Sequence, residues 1–216
     1  MRLLFLAVLA AGLHANADIL FSDLGTGGSV YSTAAGSIIQ GSGGGGNNIS
    51  QARSFAVSGS GSFDVTQIDL GLGVSVGSSN LVASIWSDVS SHPGALLSSW
   101  VVTPTNPVGS CCTLTTVSGI TGITLGGGVT YFMVLAPQTL TDNAKWEWEN
   151  NTQSVNGSIY GSLNGGSTWI ADGTGTNAAF DVLGTASPAA VPEPGSLVLL
   201  GTGLAGLPIY RRKTAG

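Results

Sequence analysis

Between residues 18 and 186 apolar and polar residues alternate with a period of two, and no helical periodicity is sustained. In "FDVTQIDLGLGV", Ile68, Leu70, Leu72 and Val74 fall on one face, and Asp69, Gly71 and Gly73 on the other. "NLVASIWSD" sets Leu81, Ala83 and Ile85 against Val82, Ser84 and Trp86. "KWEWEN" sets Trp146 and Trp148 against Lys145, Glu147 and Glu149. "VTYFMVLA" is apolar on both faces, which predicts a central strand. Further strands are predicted at "DILFSDL", "ARSFAVS", "LLSSWVVT", "TLTTVS", "SIYGSL", "STWIAD" and "AAFDVLG".

Turn signals punctuate these runs: "GSGSG", "GSSN", "SHPGA", "LGGGV", "LNGGS" and "ADGTG". The stretch "QGSGGGGNN" reads as a flexible loop, because consecutive glycines bring backbone freedom and no side-chain packing. Many short strands at near-regular spacing predict an all-β fold, a β-sandwich or jelly roll of roughly eight to twelve strands.

The two ends break the pattern. "MRLLFLAVLAAGLHANADILF" opens with Arg2, runs apolar from Leu3 to Leu13 and closes on Ala15-Asn16-Ala17. A cation, a short apolar stretch and a small-x-small site form a secretory signal helix, with cleavage by signal peptidase expected after Ala17. The run of about 11 residues is too short for a crossing of about 20. At the other end, "VPEPG" precedes an apolar stretch, Gly195 to Tyr210, and the cations Arg211, Arg212 and Lys213. As a short hydrophobic helix, sixteen residues would rise about 24 Å against a bilayer core of about 30 Å. Gly201, Gly203, Gly206 and Pro208 weaken that helix further. The expected organisation is a signal at 1–17, a β-sandwich domain at 18–186, a linker at 187–191 and a tail at 192–216.

Composition then narrows the function classes. Charged residues are 8% of the chain, yet 43% are hydrophobic and five are Trp, so a folded core is expected in place of disorder. From Asp18 to Ala190 ten acids face two bases, Arg53 and Lys145, a formal −8. Such a domain cannot neutralise many phosphates, which argues against a nucleic-acid partner. Export implies an oxidising compartment. The two cysteines, Cys111 and Cys112, are adjacent. They admit a vicinal disulfide, two free buried thiols, or bonds to another molecule. The C-x-x-C spacing and flanking cations of a redox enzyme are missing.

Candidate chemistry in the body is sparse, and a non-enzymatic protein is expected. His92 is the one histidine of residues 18–186, and "SSHPGALL" reads as a solvated turn, which leaves a Ser-His-Asp triad without its base. Glu147 and Glu149 lie two apart on one strand face, with Cα atoms about 6.5–7 Å apart. That spacing suits the paired carboxylates of a glycoside hydrolase. It equally suits a strand with its Trp face in the core and its Glu face in water, the preferred reading. No metal site or cofactor is expected, with one candidate to weigh. "DGTGTN", Asp172 to Asn177, offers oxygens for calcium in a tight turn but lacks acidic density. A carbohydrate-binding module is the main alternative to a purely structural role. Its stacking surface would come from among Trp86, Trp100, Trp146, Trp148 and Trp169.

The tail resembles the PEP-CTERM sorting signal of Gram-negative bacteria. Pro192, Glu193, Pro194 and Gly195 carry the motif, Gly195 to Tyr210 the hydrophobic segment, and Arg211, Arg212 and Lys213 the basic stop. The resemblance implies recognition by an exosortase, a membrane transpeptidase, after transient inner-membrane insertion. It implies cleavage near the motif and delivery to the surface or matrix, with a structural or adhesive role linked to exopolysaccharide and biofilm. The terminal cations agree, since they hold the tail's end in the cytoplasm and leave the body outside. The body, through "FDVTQIDLGLGV", "ASIWSDVSSHPGALLSSWVVT", "SCCTLTTVSGI", "GVTYFMVLAP" and "WEWEN", is similar to choice-of-anchor type R domains. That resemblance implies a β-sandwich and surface residence, and brings no reaction with it.

Overall fold

The computed structural model describes residues 17–44 and 46–188. Fourteen strands form: β1 (Asp18–Ser22), β2 (Gly36–Gln40), β3 (Ser50–Ala56), β4 (Ser62–Leu70), β5 (Leu72–Val76), β6 (Leu81–Val89) and β7 (His92–Val102), then β8 (Thr115–Ser118), β9 (Thr124–Gly126), β10 (Thr130–Pro137), β11 (Lys145–Glu149), β12 (Asn156–Ser162), β13 (Ile170–Thr176) and β14 (Phe180–Ala186). All lie within the compact unit Met1–Ala186; of the second unit, Ser187–Gly216, only Ser187 and Pro188 are described. The signal helix, its site at Ala15 and Ala17, the hydrophobic helix at Gly195–Tyr210, the motif Pro192–Gly195 and the basic stop at Arg211–Lys213 fall outside the described residues, Ala17 excepted. Among the described residues no helix is long and apolar enough to cross a membrane.

The strand count exceeds the expected eight to twelve for two reasons. First, "FDVTQIDLGLGV" is two strands. β4 ends at Leu70, Gly71 breaks the run, and β5 begins at Leu72 in a different sheet. Gly71 passes so close to its neighbours that a Cβ would sit 3.0 Å from the Tyr31 ring and 3.2 Å from Ala179 Cβ. The alternation nevertheless survives the switch, because Ile68, Leu70 and Leu72 are all buried in the same core. Second, two strands carry no strong alternation, "GSIIQ" in β2 and the three residues of β9.

Three open sheets result. One runs β1-β14-β4-β8, with β9 pairing the other end of the long strand β4. A six-stranded sheet runs β13-β12-β3-β10-β6-β7, and a three-stranded sheet runs β2-β11-β5. Every strand pair in them is antiparallel. Inward side chains from all three sheets meet in one core. It joins Leu20, Val65, Ile68, Phe180 and Val182 of the first sheet to Phe55, Ile85, Met133 and Leu135 of the second and Ile39, Trp146 and Trp148 of the third. A sandwich-like packing of faces fits this core. β10 lies between β3 and β6 and is buried on both faces, as its pattern predicts.

Two turn expectations fail. The hairpin between β6 and β7 turns at Ser90 and Ser91, with φ of 55° and 65°, and His92-Pro93-Gly94 already belongs to β7. A two-residue turn with both φ values positive matches the right-handed twist of its strands, so it outcompetes the Pro-Gly signal. "DGTGTN" is not a tight turn either: Asp172 to Thr176 are strand residues of β13. There a register shift opposite Ile159 and Tyr160 is absorbed at Asp172-Gly173, with Gly173 at φ 96°, the mark of a glycine bulge. An extended edge strand spreads its oxygens along its length, so the tight turn expected to gather them for an ion is not formed.

Candidate functional site

The inward faces of the sheets are filled, so chemistry directed at a ligand belongs on an outer face. The six-stranded sheet carries the aromatic residues there. Register places Tyr160, Ala52, Val134, Ser84 and Ser99 in one cross-strand row. The next row holds Ser54, Phe132, Trp86 and Leu96. Ala52, Phe132, Val134 and Tyr160 form a second cluster, separate from the main core, with Trp86 and Trp169 packed against it.

Two segments fold over this face. β6 carries register shifts at Ile85/Trp86 and Trp86/Asp88, which bend the β6–β7 hairpin. Its end brings the His92 ring within 5.2 Å of Tyr160. In sheet order β7 and β12 are four strands apart, about 19 Å at the usual spacing, so the hairpin must arch across the surface. From the other side comes the β12–β13 loop. It is fixed by its own hydrogen bonds: Gly166 N–H donates to Ser162 Oγ at 2.8 Å, and Thr168 N–H to Asn164 Oδ1 at 2.9 Å. It delivers Trp169 edge-on to Trp86, with ring centres 6.0 Å apart. Trp86 is itself held, its Nε1 donating to Ser84 Oγ at 2.9 Å while Ser84 Oγ donates to the Val134 carbonyl. Between these pieces runs a groove of about 220 Å³, lined by Val82, Trp86, Leu96, Ser99 and Val134 and closed at one side by Gly165 and Gly166. A larger groove of about 530 Å³ separates Val101–Thr105 from Leu114–Ser118. Its lining has neither an aromatic ring nor an ionisable group, so it offers no stacking surface and no acid or base.

The five tryptophans therefore divide. Trp146 and Trp148 are 0% exposed and lie in the central core, which removes them as stacking residues. Their alternation on β11 marks the inward face, and Trp148 Nε1 donates to the Ala179 carbonyl at 3.2 Å. Trp100, half-buried, packs against the core from β7, opposite Ala83, on the other face of the sheet from Trp86. Trp86 and Trp169, both half-buried, remain on the outer face. Buried Phe132 and Tyr160 lie beneath them and exposed His92 beside Tyr160, and composition alone did not single out the first two. One signal did point there. The outward residues of "VTYFMVLA" are apolar although no second sheet covers them.

Glu147 and Glu149 share a face of β11 as expected, but Glu149 is not in water. It is 1% exposed, and neither carboxylate oxygen has a hydrogen-bond partner. A Cβ on Gly73 would stand 3.0 Å from its Oε1 and 2.7 Å from the Val108 Cα, so the carboxyl lies beneath the 106–113 loop. Burial, then the Glu147 charge, push it up to about 7. That loop is stitched down at several points. Val74 N–H donates to the Asn106 carbonyl at 2.7 Å, Val108 N–H donates to the Val74 carbonyl, and Tyr31 OH donates to the Ser110 and Thr113 carbonyls at 2.9 and 3.1 Å. At its apex Cys111 and Cys112 are bonded to each other. The cover leaves Glu149 no approach for a sugar, and neither groove includes either glutamate.

A second buried carboxyl, Asp23, is 1% exposed; its Oδ1 accepts Phe180 N–H at 2.7 Å, and its Oδ2 has no partner. Desolvation first, with Asp181 adding to it, pushes Asp23 up to about 8. Among the described residues no group of three His, Cys, Asp or Glu side chains is arranged to hold a metal ion. His92 is exposed, with Nδ1 2.8 Å from the Ser90 carbonyl.

Residues 190–213 match the PEP-CTERM protein-sorting motif. The motif implies exosortase-dependent sorting of an exported, cell-surface protein. The match covers the tail alone and is silent on the body. No curated protein matches the chain.

Proposed function

We propose that the chain is a non-enzymatic adhesive protein of a Gram-negative cell surface or extracellular matrix, whose β body holds exopolysaccharide through the outer face of its six-stranded sheet. On this reading signal peptidase and an exosortase are processing partners, and the tail is a transient inner-membrane segment removed near Pro192–Gly195. The similarity of the body to choice-of-anchor type R domains accords with surface residence. One observation carries the proposal: half-buried Trp86 lines a groove on the outer face of the six-stranded sheet, and half-buried Trp169 packs edge-on against it over buried Phe132 and Tyr160. Aromatic faces stack on the C–H faces of pyranose rings, and the groove's serine hydroxyl and backbone groups suit their hydroxyls. Trp86 and Trp169 are pinned in advance by Ser84 and by the loop's hydrogen bonds, which lowers the ordering cost of binding.

A glycoside hydrolase built on Glu147 and Glu149 finds no support in the covered position of Glu149. A purely structural role by strand-to-strand assembly has one observation in its favour. The free edge strand β7 exposes Leu96, Leu97 and Val101 and carries no lysine or acid to discourage pairing. A glycan array probed with the full chain separates the readings. Binding that falls at least tenfold in Trp86→Ala and Trp169→Ala supports the adhesive face. Absence of binding to every glycan, with concentration-dependent polymerisation instead, supports assembly.

A further inference from the structure

Resting on the glycan-binding reading of this face, we infer that its ligand is an uncharged polysaccharide, and that uronate-rich or sulfated chains are selected against. The groove contributes no charge. Val82, Trp86, Leu96 and Val134 supply apolar contact, and Ser99 with the Gly165–Gly166 backbone supplies neutral hydrogen-bonding groups.

Neither a lysine nor an arginine reaches the groove to compensate an anionic sugar. Among the described residues these are Arg53 and Lys145, and the one histidine, His92, stands beside Tyr160 outside the groove lining. Arg53 is 1% exposed and points inward. Its Nη1 donates to Gln51 Oε1 at 3.0 Å and to the Ala52 carbonyl, its Nη2 donates to Ser37 Oγ, and its guanidinium lies 5.8 Å from the Trp148 ring centre. Lys145 stands on β11, in the three-stranded sheet.

The acid of this sheet near the groove is Asp88, half-buried two residues beyond Trp86 on β6. Asp172, exposed on β13, lies toward the opposite face, its Oδ2 3.1 Å from where a Cβ of Gly161 would stand. They stand within a body whose ten acids outnumber its bases five to one. Recognition of carboxylated or sulfated sugars ordinarily uses Arg or Lys forks, because an anion leaving water needs charged donors. A neutral pyranose needs only a stacking face and hydroxyl partners, which is what this groove offers.

Matched polymers test the inference: hydroxyethyl cellulose against carboxymethyl cellulose, and dextran against dextran sulfate, each titrated against the full chain at 20 and 300 mM salt. The neutral member of at least one pair should bind with an affinity that changes less than twofold with salt. Its charged counterpart should bind at least tenfold more weakly at 20 mM, with the gap narrowing at 300 mM as screening increases. Ser99→Lys, at an exposed groove position, should shift the preference several-fold toward the charged member of each pair, read as the ratio of the two affinities. Equal or tighter binding of the charged member at 20 mM, lost at high salt, overturns the neutral-ligand inference while leaving surface binding intact. No binding of any polymer, together with an empty glycan array, overturns the glycan reading itself.

Discussion

Asp23 should make the body lose stability as pH rises through neutrality. Its Oδ1 accepts Phe180 N–H, but Oδ2 is buried without a hydrogen-bond partner. A proton on the carboxyl removes a buried charge. Desolvation first, and then the Asp181 charge, raise it from 3.8 to about 8, against the opposing hydrogen bonds from Phe180 N–H and the Asn177 side chain. The sign follows from proton binding. Between these values the folded state holds a proton that the unfolded state has released, so stability falls as pH increases. Each pH unit in that window costs about 1.4 kcal/mol, and from pH 5 to pH 8 roughly 3–4 kcal/mol is lost through this group. Asp23→Asn keeps the shape and the bond to Phe180 and abolishes the titration. Urea unfolding at pH 5, 6, 7 and 8 should give a falling midpoint for the parent and a much flatter one for the variant. A parent that is equally or more stable at pH 8, or a variant with the parent's slope, refutes the reasoning.

Other outcomes can be checked alongside. Trp148→Ala opens a cavity in the central core and removes the bond to the Ala179 carbonyl, so a loss of about 3–5 kcal/mol is expected in denaturant unfolding, whereas Trp86→Ala at the surface should cost far less. Glu149→Gln should stabilise the protein at pH 8 and change little at pH 5, because the buried carboxyl, at about 7, is charged only under the first condition. A thermal-shift series with pH reads this directly. Tyr31→Phe removes the hydroxyl shared between the Ser110 and Thr113 carbonyls, one of several ties on the 106–113 loop, and should cost about 1–2 kcal/mol and speed proteolysis within that loop. Mass spectrometry of the surface protein should find the C-terminus near Pro192–Gly195; a chain intact to Gly216 contradicts exosortase cleavage.

The all-β character was legible because period-two alternation reports directly on faces. It identified Trp146 and Trp148 as inward on β11, and the two-sided apolarity of β10 correctly placed that strand in the middle of its sheet. It could not reveal that Gly71 hands the chain to another sheet, since inward residues stay in step across the break. Alternation also says nothing about what lies over an outward residue. Glu149 alternates like a solvated side chain, yet a loop about forty residues earlier covers it. The same limit hid the aromatic face. Trp86, Phe132, Tyr160 and Trp169 come from β6, β10, β12 and the β12–β13 loop, and only register unites them. The tail, by contrast, is a linear signal of motif, apolar run and cations, readable without a fold.

The most direct test of the binding face is an NMR titration that follows the indole N–H signals of the five tryptophans as a neutral oligosaccharide is added. The signals of Trp86 and Trp169 should shift together and saturably, while those of core-bound Trp146 and Trp148 stay in place. Saturable binding with Trp86 and Trp169 unmoved, or no shift in any indole across neutral oligosaccharides, contradicts the account.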